Sequence, residues 1–498
     1  MTLDEIADKL LPLLTYDPEA PLIFSSGLFL FLFAGFAFFY RFMRRAVMLR
    51  IVYVTLFSLY FYYKTSGFYF LLLIFVVTSD FLIGRAIARS ARQSVRKALL
   101  WLSVTIDIGL LIYFKYTDFF IGIVNDLAGR NFLDFQHIFL PVGISFFVFQ
   151  SISYTADIYR RRIEPLNCWI DYMFFVSFFP QLVAGPIVRA RDFLPQIRQN
   201  PLVVTRKMFS TGVFLVVSGL FKKAIISDYI SLNFVDRVFD NPLLYSGFEN
   251  LMGVYGYALQ IYCDFSGYSD MAIGIALMLG FRFPKNFDSP YKSATITEFW
   301  RRWHISLSSW LKDYLYISLG GNRKGRFRTY VNLMLTMLIG GLWHGAAMRF
   351  VLWGALHGGA LAVHKWTMNR FPSFRPVGAE MVWWRRLLGV AITFHIVCLG
   401  WILFRAPDME TGRQVLNQIF TRFDPALIPQ VVSGYGAVLG LMALGYFLHV
   451  LPRGAERWGE RLTEAAPLLL KAAAIAVVIW IVMQIKSSEI QPFIYFQF

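Results

Sequence analysis

PLIFSSGLFLFLFAGFAFFY (21–40) contains no charged residue, and at about 1.5 Å per residue it is long enough to cross a hydrocarbon layer of about 30 Å as a helix. Similar apolar stretches recur at 46–63, 67–84, 98–124, 138–158, 168–185, 207–227, 249–280, 329–345, 347–366, 386–404, 433–451 and 466–485. Some are short or broken by Gly and Pro. Backbone groups in lipid must be paired within their own segment, which selects helices over open sheets. The expectation is an all-α integral membrane protein with about 11–13 transmembrane or re-entrant helices. Helices in a bilayer pack as one body, so 1–498 reads as a single membrane domain.

Composition agrees. The chain is 57% hydrophobic and 16% charged, with 51 Phe, against about 45–50% apolar in an ordinary soluble domain. The net charge of +17 is confined to loops between apolar runs: Arg41, Arg44, Arg45 and Arg50; Arg85, Arg89, Arg92, Arg96 and Lys97; Arg160 to Arg162; Arg189, Arg191, Arg198 and Arg206. The span 282–328 carries ten Lys/Arg against three acids. Basic loops stay cytoplasmic, so this charge speaks for bilayer orientation and against nucleic acid. The acidic N-terminal segment with Asp4, Glu5 and Asp8, and the 125–136 loop, then face outward. That first segment lacks the basic start of a signal peptide. Cys168, Cys263 and Cys398 are isolated, and no His/Cys spacing suits zinc, so no metal site is expected.

Polar residues inside apolar runs mark the chemistry. PQLVAGPIVR (180–189) cannot continue a straight helix and reads as a re-entrant hairpin. Trp300, His304, Leu307 and Leu311 fall at helical spacing beside Arg301, Arg302 and Lys312, which predicts one amphipathic interfacial helix. The glycine-rich GGNRKG (320–325) reads as a cytoplasmic turn, with a phosphate cradle as the alternative. His344 ends the run GGLWHGAA (340–347), about 24 Å along a helix begun near Arg328. An ionisable group at that depth is a functional hypothesis, set against a hydrogen-bonded core histidine. His357 and His364 share a helix face, and His364, His395 and His449 read as structural or interfacial. In QIYCDFSGYSDMAIG (260–274), Asp264, Ser266 and Asp270 lie within an apolar span. They orient a histidine, line a hydrated cavity, or cross-link helices.

FWRRWHISLSSWLKDYLYISLGGNR (299–323) followed by GGLWHGAAMRFVLWGALHGG (340–359) resembles the membrane-bound O-acyltransferase superfamily. FFPQLVAGPIVR (178–189), GLFKKAIISD (219–228), IYCDFSGYSDMAIGIAL (261–277), WILFRA (401–406) and PFIYFQF (492–498) are further matches, and FSSGLFLFLF (24–33) is also similar. The nearest branch is the membrane subunit of alginate and exopolysaccharide O-acetylation. The resemblance implies a helical fold around a central tunnel in the bacterial inner membrane. It implies that His344 is the catalytic histidine and His304 its cytoplasmic-side partner. Trp343, Trp303, His357, Asn322, Arg323, Asp264, Ser266 and Asp270 are then the residues expected along the substrate path. The extension before Pro21 departs from the family pattern.

The chemistry so implied is acetyl transfer from a cytoplasmic thioester, acetyl-CoA as co-substrate with no bound cofactor. The acceptor is an exported polysaccharide or a periplasmic partner transferase. D-alanyl transfer to teichoic acid from a carrier-protein thioester keeps the fold and changes the substrate. A transporter or flippase also carries intramembrane Asp and His, but forms no ester.

Overall fold

The computed structural model describes residues 11, 13–18, 21–24, 26–371 and 382–485. Most of the extension before Pro21, and all of PFIYFQF (492–498), fall outside them. All regular structure among the described residues is helical. The chain divides into two compact units, Met1–Val216 with Met271–Pro284, and Val217–Asp270 with Lys285–Phe498.

By length and composition, four helices are apolar enough to cross a membrane: Val47–Arg89, Gln93–Ala128, Arg206–Asp240 and Trp383–Arg405. A fifth crossing is counted if Pro425–Gly434 and Gly436–Val450, bent by 92°, form one broken span. Gly27–Met43 and Leu468–Trp480 are shorter apolar helices. The other expected segments are helical over most of their length, but several are short or carry ionisable residues in their middles. Gly247–Met278 carries Asp264 and Asp270, and Met348–Arg370 carries Arg349, His357 and His364.

The first unit contains α1 (Gly27–Tyr40), α2 (Val47–Ser66), α3 (Phe70–Arg89), α4 (Gln93–Ala128), α5 (Ile144–Tyr159), α6 (Trp169–Ser177) and α7 (Ala190–Ile197). Its core is largely phenylalanine: Phe36 stacks within 4.2 Å of Phe57, and Phe178 lies 5.1 Å from Phe281. The 180–189 stretch makes one helical turn, Phe179–Leu182, then runs non-helical and buried to Arg189. Pro180 and Pro186 account for the break.

Helix α8 (Arg206–Asp240) carries two π-helical stretches, Phe221–Ser227 and Ser231–Val235. In a π turn, residues five apart stand over one another. Lys223 accordingly reaches Asp228 at 2.8 Å, and Ser231 donates to Asp236 at 2.6 Å. The second unit continues through α9 (Gly247–Met278, whose C-terminal end belongs to the first unit), α10 (Ile296–Arg302), α11 (Ile305–Trp310), α12 (Arg326–His344), α13 (Met348–Arg370), α14 (Trp383–Arg405), α15 (Met409–Thr421), α16 (Ile428–Gly434), α17 (Gly436–Val450), α18 (Arg453–Ala465) and α19 (Leu468–Ile485).

The pair α12–α13 frames one side of the site. A Cβ on Gly341 would stand 2.2 Å from the Phe350 carbonyl oxygen, and one on Gly354 would stand 2.4 Å from that of Met337. Only glycine lets two backbones approach so closely. The short link Gly345–Ala347 separates the helices, so His344 and His357 lie on different helices.

Candidate active site

The single amphipathic helix expected through 300–311 is broken at His304. Helix α10 ends at Arg302, α11 begins at Ile305, and His304 between them has φ +42° and ψ 56°, the left-handed region. A non-glycine residue adopts that conformation only where its surroundings fix it. Here they are polar. The Ile305 N–H donates to the Asn286 carbonyl at 2.8 Å, and the Ser306 N–H donates to Asn286 Oδ1 at 3.2 Å. The His304 Nδ1 lies 3.2 Å from the same Oδ1. The ring is fully buried, and its Nε2 has no hydrogen-bond partner among the described residues. Burial pushes its pKa down to about 3, so the ring is neutral at physiological pH.

His344 closes α12 and is 4% exposed. Aromatic rings wall it in: Trp343 at 4.9 Å, Trp353 at 5.0 Å and Phe404 at 5.2 Å between centroids. Trp343 also lies 6.1 Å from His304, so one indole stands between the two histidines. His357 lies 4.6 Å from Trp353 and 5.2 Å from Trp300. Trp303 packs 4.9 Å from Trp401, which neighbours Trp353 at 6.3 Å. His304, Trp343, His344, Trp353, His357, Trp300 and Trp303 thus form one connected aromatic group, although the sequence scatters them between positions 300 and 357.

Asp264 and Asp270 meet lysines. Asp264 lies 2.5 Å from Lys223, which also binds Asp228, and Asp270 lies 2.5 Å from Lys222. These pairs tie α9 to α8, and Ser266 is buried on the same stretch of α9. The neighbour of Asp264, Phe265, sets its ring edge-on 4.6 Å from His304.

A cavity of about 650 Å³ opens beside this group. Trp300, Leu333, Met337 and Leu361 give it an apolar floor, while Arg301, Lys312 and Lys365 bring positive charge. No carboxylate is among the described residues that line it. Asn322 lines its rim, accepting from Tyr316 at 2.5 Å and from Lys365 at 2.8 Å. Arg323, on the same turn, is exposed and away from the lining. His364 also lines the cavity, with Nδ1 2.9 Å from the Thr297 hydroxyl. The sequence reading passed over Asn286, Trp353, Lys365 and the lysine partners of Asp264 and Asp270. The available signals were an Asn inside the FPKNFDSPYK stretch (283–292) and the Lys222-Lys223 doublet within an apolar run.

Comparison with known proteins bears on what such a site does. Residues 137–404, which include every residue of the aromatic group, match the family model for membrane-bound O-acyltransferases. Over 96% of this chain and 100% of the relative, it is 37% identical to a Pseudomonas putida protein named probable alginate O-acetylase AlgI. It is 37% identical to the peptidoglycan O-acetyltransferase of Helicobacter pylori over 80% of this chain and 79% of the relative. The match to the teichoic acid D-alanyltransferase of Bacillus subtilis is more distant, 28% over 53% of this chain and 68% of the relative. With its helical architecture and apolar spans, this chain belongs to the membrane-bound O-acyltransferase family and is an integral membrane acyltransferase.

Proposed function

We propose that the protein transfers an acetyl group from cytoplasmic acetyl-CoA for the O-acetylation of an exported polysaccharide, directly or through a partner transferase, in the bacterial inner membrane. One observation carries this reading: the cationic, carboxylate-free cavity leads by its Trp300 wall to Trp353, 5.7 Å away, and so to His344. Phosphates of a CoA-type donor suit Arg301, Lys312 and Lys365, while the apolar floor suits its arm. The relatives that match over most of the chain are named for O-acetyl transfer, which favours acetyl over D-alanyl as the group moved.

His344 is the general base. Its ring takes the proton of the acceptor hydroxyl as that oxygen attacks the thioester carbonyl. The tetrahedral intermediate collapses with cleavage of the C–S bond, and the leaving thiolate takes the proton back from the imidazolium. The products are an O-acetyl ester and free CoA. Trp343, Trp353 and Phe404 exclude water from the ring, which protects the thioester from hydrolysis. His304 positions the donor.

Purified protein in nanodiscs with radiolabelled acetyl-CoA provides the test. His344→Ala should lower label transfer and CoA release by about 100-fold or more, the scale of a lost general base. Undiminished turnover in that variant would sink the catalytic assignment.

A further inference from the structure

The environment of Asn286 contains more information than its role as a loop anchor requires. Its side chain is 1% exposed and every polar contact is directional. Nδ2 donates to the Ser269 hydroxyl at 3.0 Å, and Oδ1 accepts from the Ser306 hydroxyl at 2.8 Å. Oδ1 also accepts from the Ser306 backbone N–H at 3.2 Å. A backbone N–H is only ever a donor, so it settles which end of the amide is oxygen. That oxygen faces His304 Nδ1 at 3.2 Å. The Ser306 hydroxyl, 3.5 Å from Nδ1, gives its one hydrogen to Oδ1 at 2.8 Å, so Nδ1, facing the same acceptor, carries the ring hydrogen. A neutral imidazole with hydrogen on Nδ1 presents a bare lone pair at Nε2.

We propose that Asn286 is a positioning residue that fixes His304 as the Nδ1–H tautomer, so that Nε2 accepts a hydrogen bond from an amide N–H group on the arm of the thioester donor. The proposal rests on the function proposed above. An amide does this without adding charge, which a carboxylate in the same place would not. The ring then stays neutral in a pocket formed by Phe265 at 4.6 Å, Trp343 at 6.1 Å and Phe287 at 6.3 Å. Charged groups on the packed elements are engaged elsewhere. On α8 and α9, Lys223 holds Asp264 and Asp228, and Lys222 holds Asp270. On the loop, Asp288 meets Lys285, Arg302 and Arg453. His344 lies beyond Trp343. Burial alone therefore sets the ring's low proton affinity. The left-handed backbone at His304 has the same origin, since both residues that follow it donate to Asn286.

Three readouts on wild type, Asn286→Asp and Asn286→Leu in nanodiscs test this. The first is hydrogen–deuterium exchange at the His304 ring carbon, followed by mass spectrometry from about pH 2.5 to about pH 8 so that a depressed imidazole midpoint falls inside the window, which needs no turnover. An Asp keeps the acceptor but adds an opposite charge, so its titration midpoint should rise by about one unit or more over wild type. The second is the pH profile of kcat with labelled acetyl-CoA, whose acidic limb should move up with that midpoint. The third is Asn286→Leu, in which kcat should fall about 10–100-fold, the usual cost of losing an orienting partner, with KM within about twofold. If Asn286→Leu does not fold, Asn286→Asp decides. An unmoved His304 midpoint in Asn286→Asp overturns the proposal whatever the activity. Wild type inactive with acetyl-CoA, but with the midpoint shifted in the variant, would sink the donor assignment and leave the tautomer control standing.

Discussion

The two candidate histidines are both buried among aromatic rings, yet they are held by opposite means. His344 sits at the end of α12, whose place is set by backbone-to-backbone packing on α13 at Gly341 and Gly354. His304 sits at a helix break held by an amide, two backbone N–H groups and a ring of ion pairs on the flanking elements. An apolar frame is indifferent to salt and pH. A polar frame fixes tautomer and orientation, but depends on every partner being present. The proposed general base therefore rests on the robust frame, and the residue proposed to meet the donor rests on the tunable one.

The largest effect on stability should come from the polar frame. Lys223 is 4% exposed and serves two carboxylates, Asp264 and Asp228. Lys223→Met removes the cation that both share, and should cost about 3–5 kcal/mol. A thermal melt in nanodiscs measures the loss, and Lys223→Met with Asp264→Asn should recover part of it. A single variant that melts like wild type would break the contrast between the two frames.

Gly341→Ala attacks the apolar frame. Its Cβ has no room against the Phe350 carbonyl, so α12 and α13 must separate, at about 1–3 kcal/mol for overpacking. That loss should be the same at low and high salt. A strong salt dependence would mean that the α12–α13 pair is held by charge after all.

The smallest effect is the pH response of the loop below His304. Burial works against the Asp288 carboxylate, but the Arg453 hydrogen bond and the Lys285 charge hold its pKa below the ordinary value. A carboxylate with a depressed folded pKa contributes stability that is complete above its unfolded pKa and is lost as pH falls through the folded one. The melting-temperature difference between wild type and Arg453→Ala should therefore be constant above about pH 5 and shrink below about pH 4. A difference that grew on acidification would overturn this assignment of the clasp.

Much of the protein could be read in advance where the signal is local. Apolar runs such as 386–404, which lies within the spanning helix Trp383–Arg405, specify membrane helices because lipid offers the backbone no partners. Ordered motifs at 299–323 and 340–359 pointed to the family before any coordinate was known. The break at His304 was not legible, because Trp300, His304, Leu307 and Leu311 keep a helical period right across it. Its cause lies 18 residues upstream, at Asn286, and no window on the sequence joins the two. Asp264 and Asp270 show the same limit. The sequence marked them as buried acids needing partners, and the π-helical stretch Phe221–Ser227 of α8 holds the lysines they found.

By itself, then, the sequence determined the helical membrane class and the family and marked two candidate histidines, since hydropathy and motif spacing are properties of neighbouring residues. Only the tertiary structure decided that one indole stands between those histidines, that three cations share a cavity beside them, and which nitrogen of His304 carries its hydrogen. Each depends on atoms that meet across long sequence separations, where distance and direction, not composition, fix the chemistry.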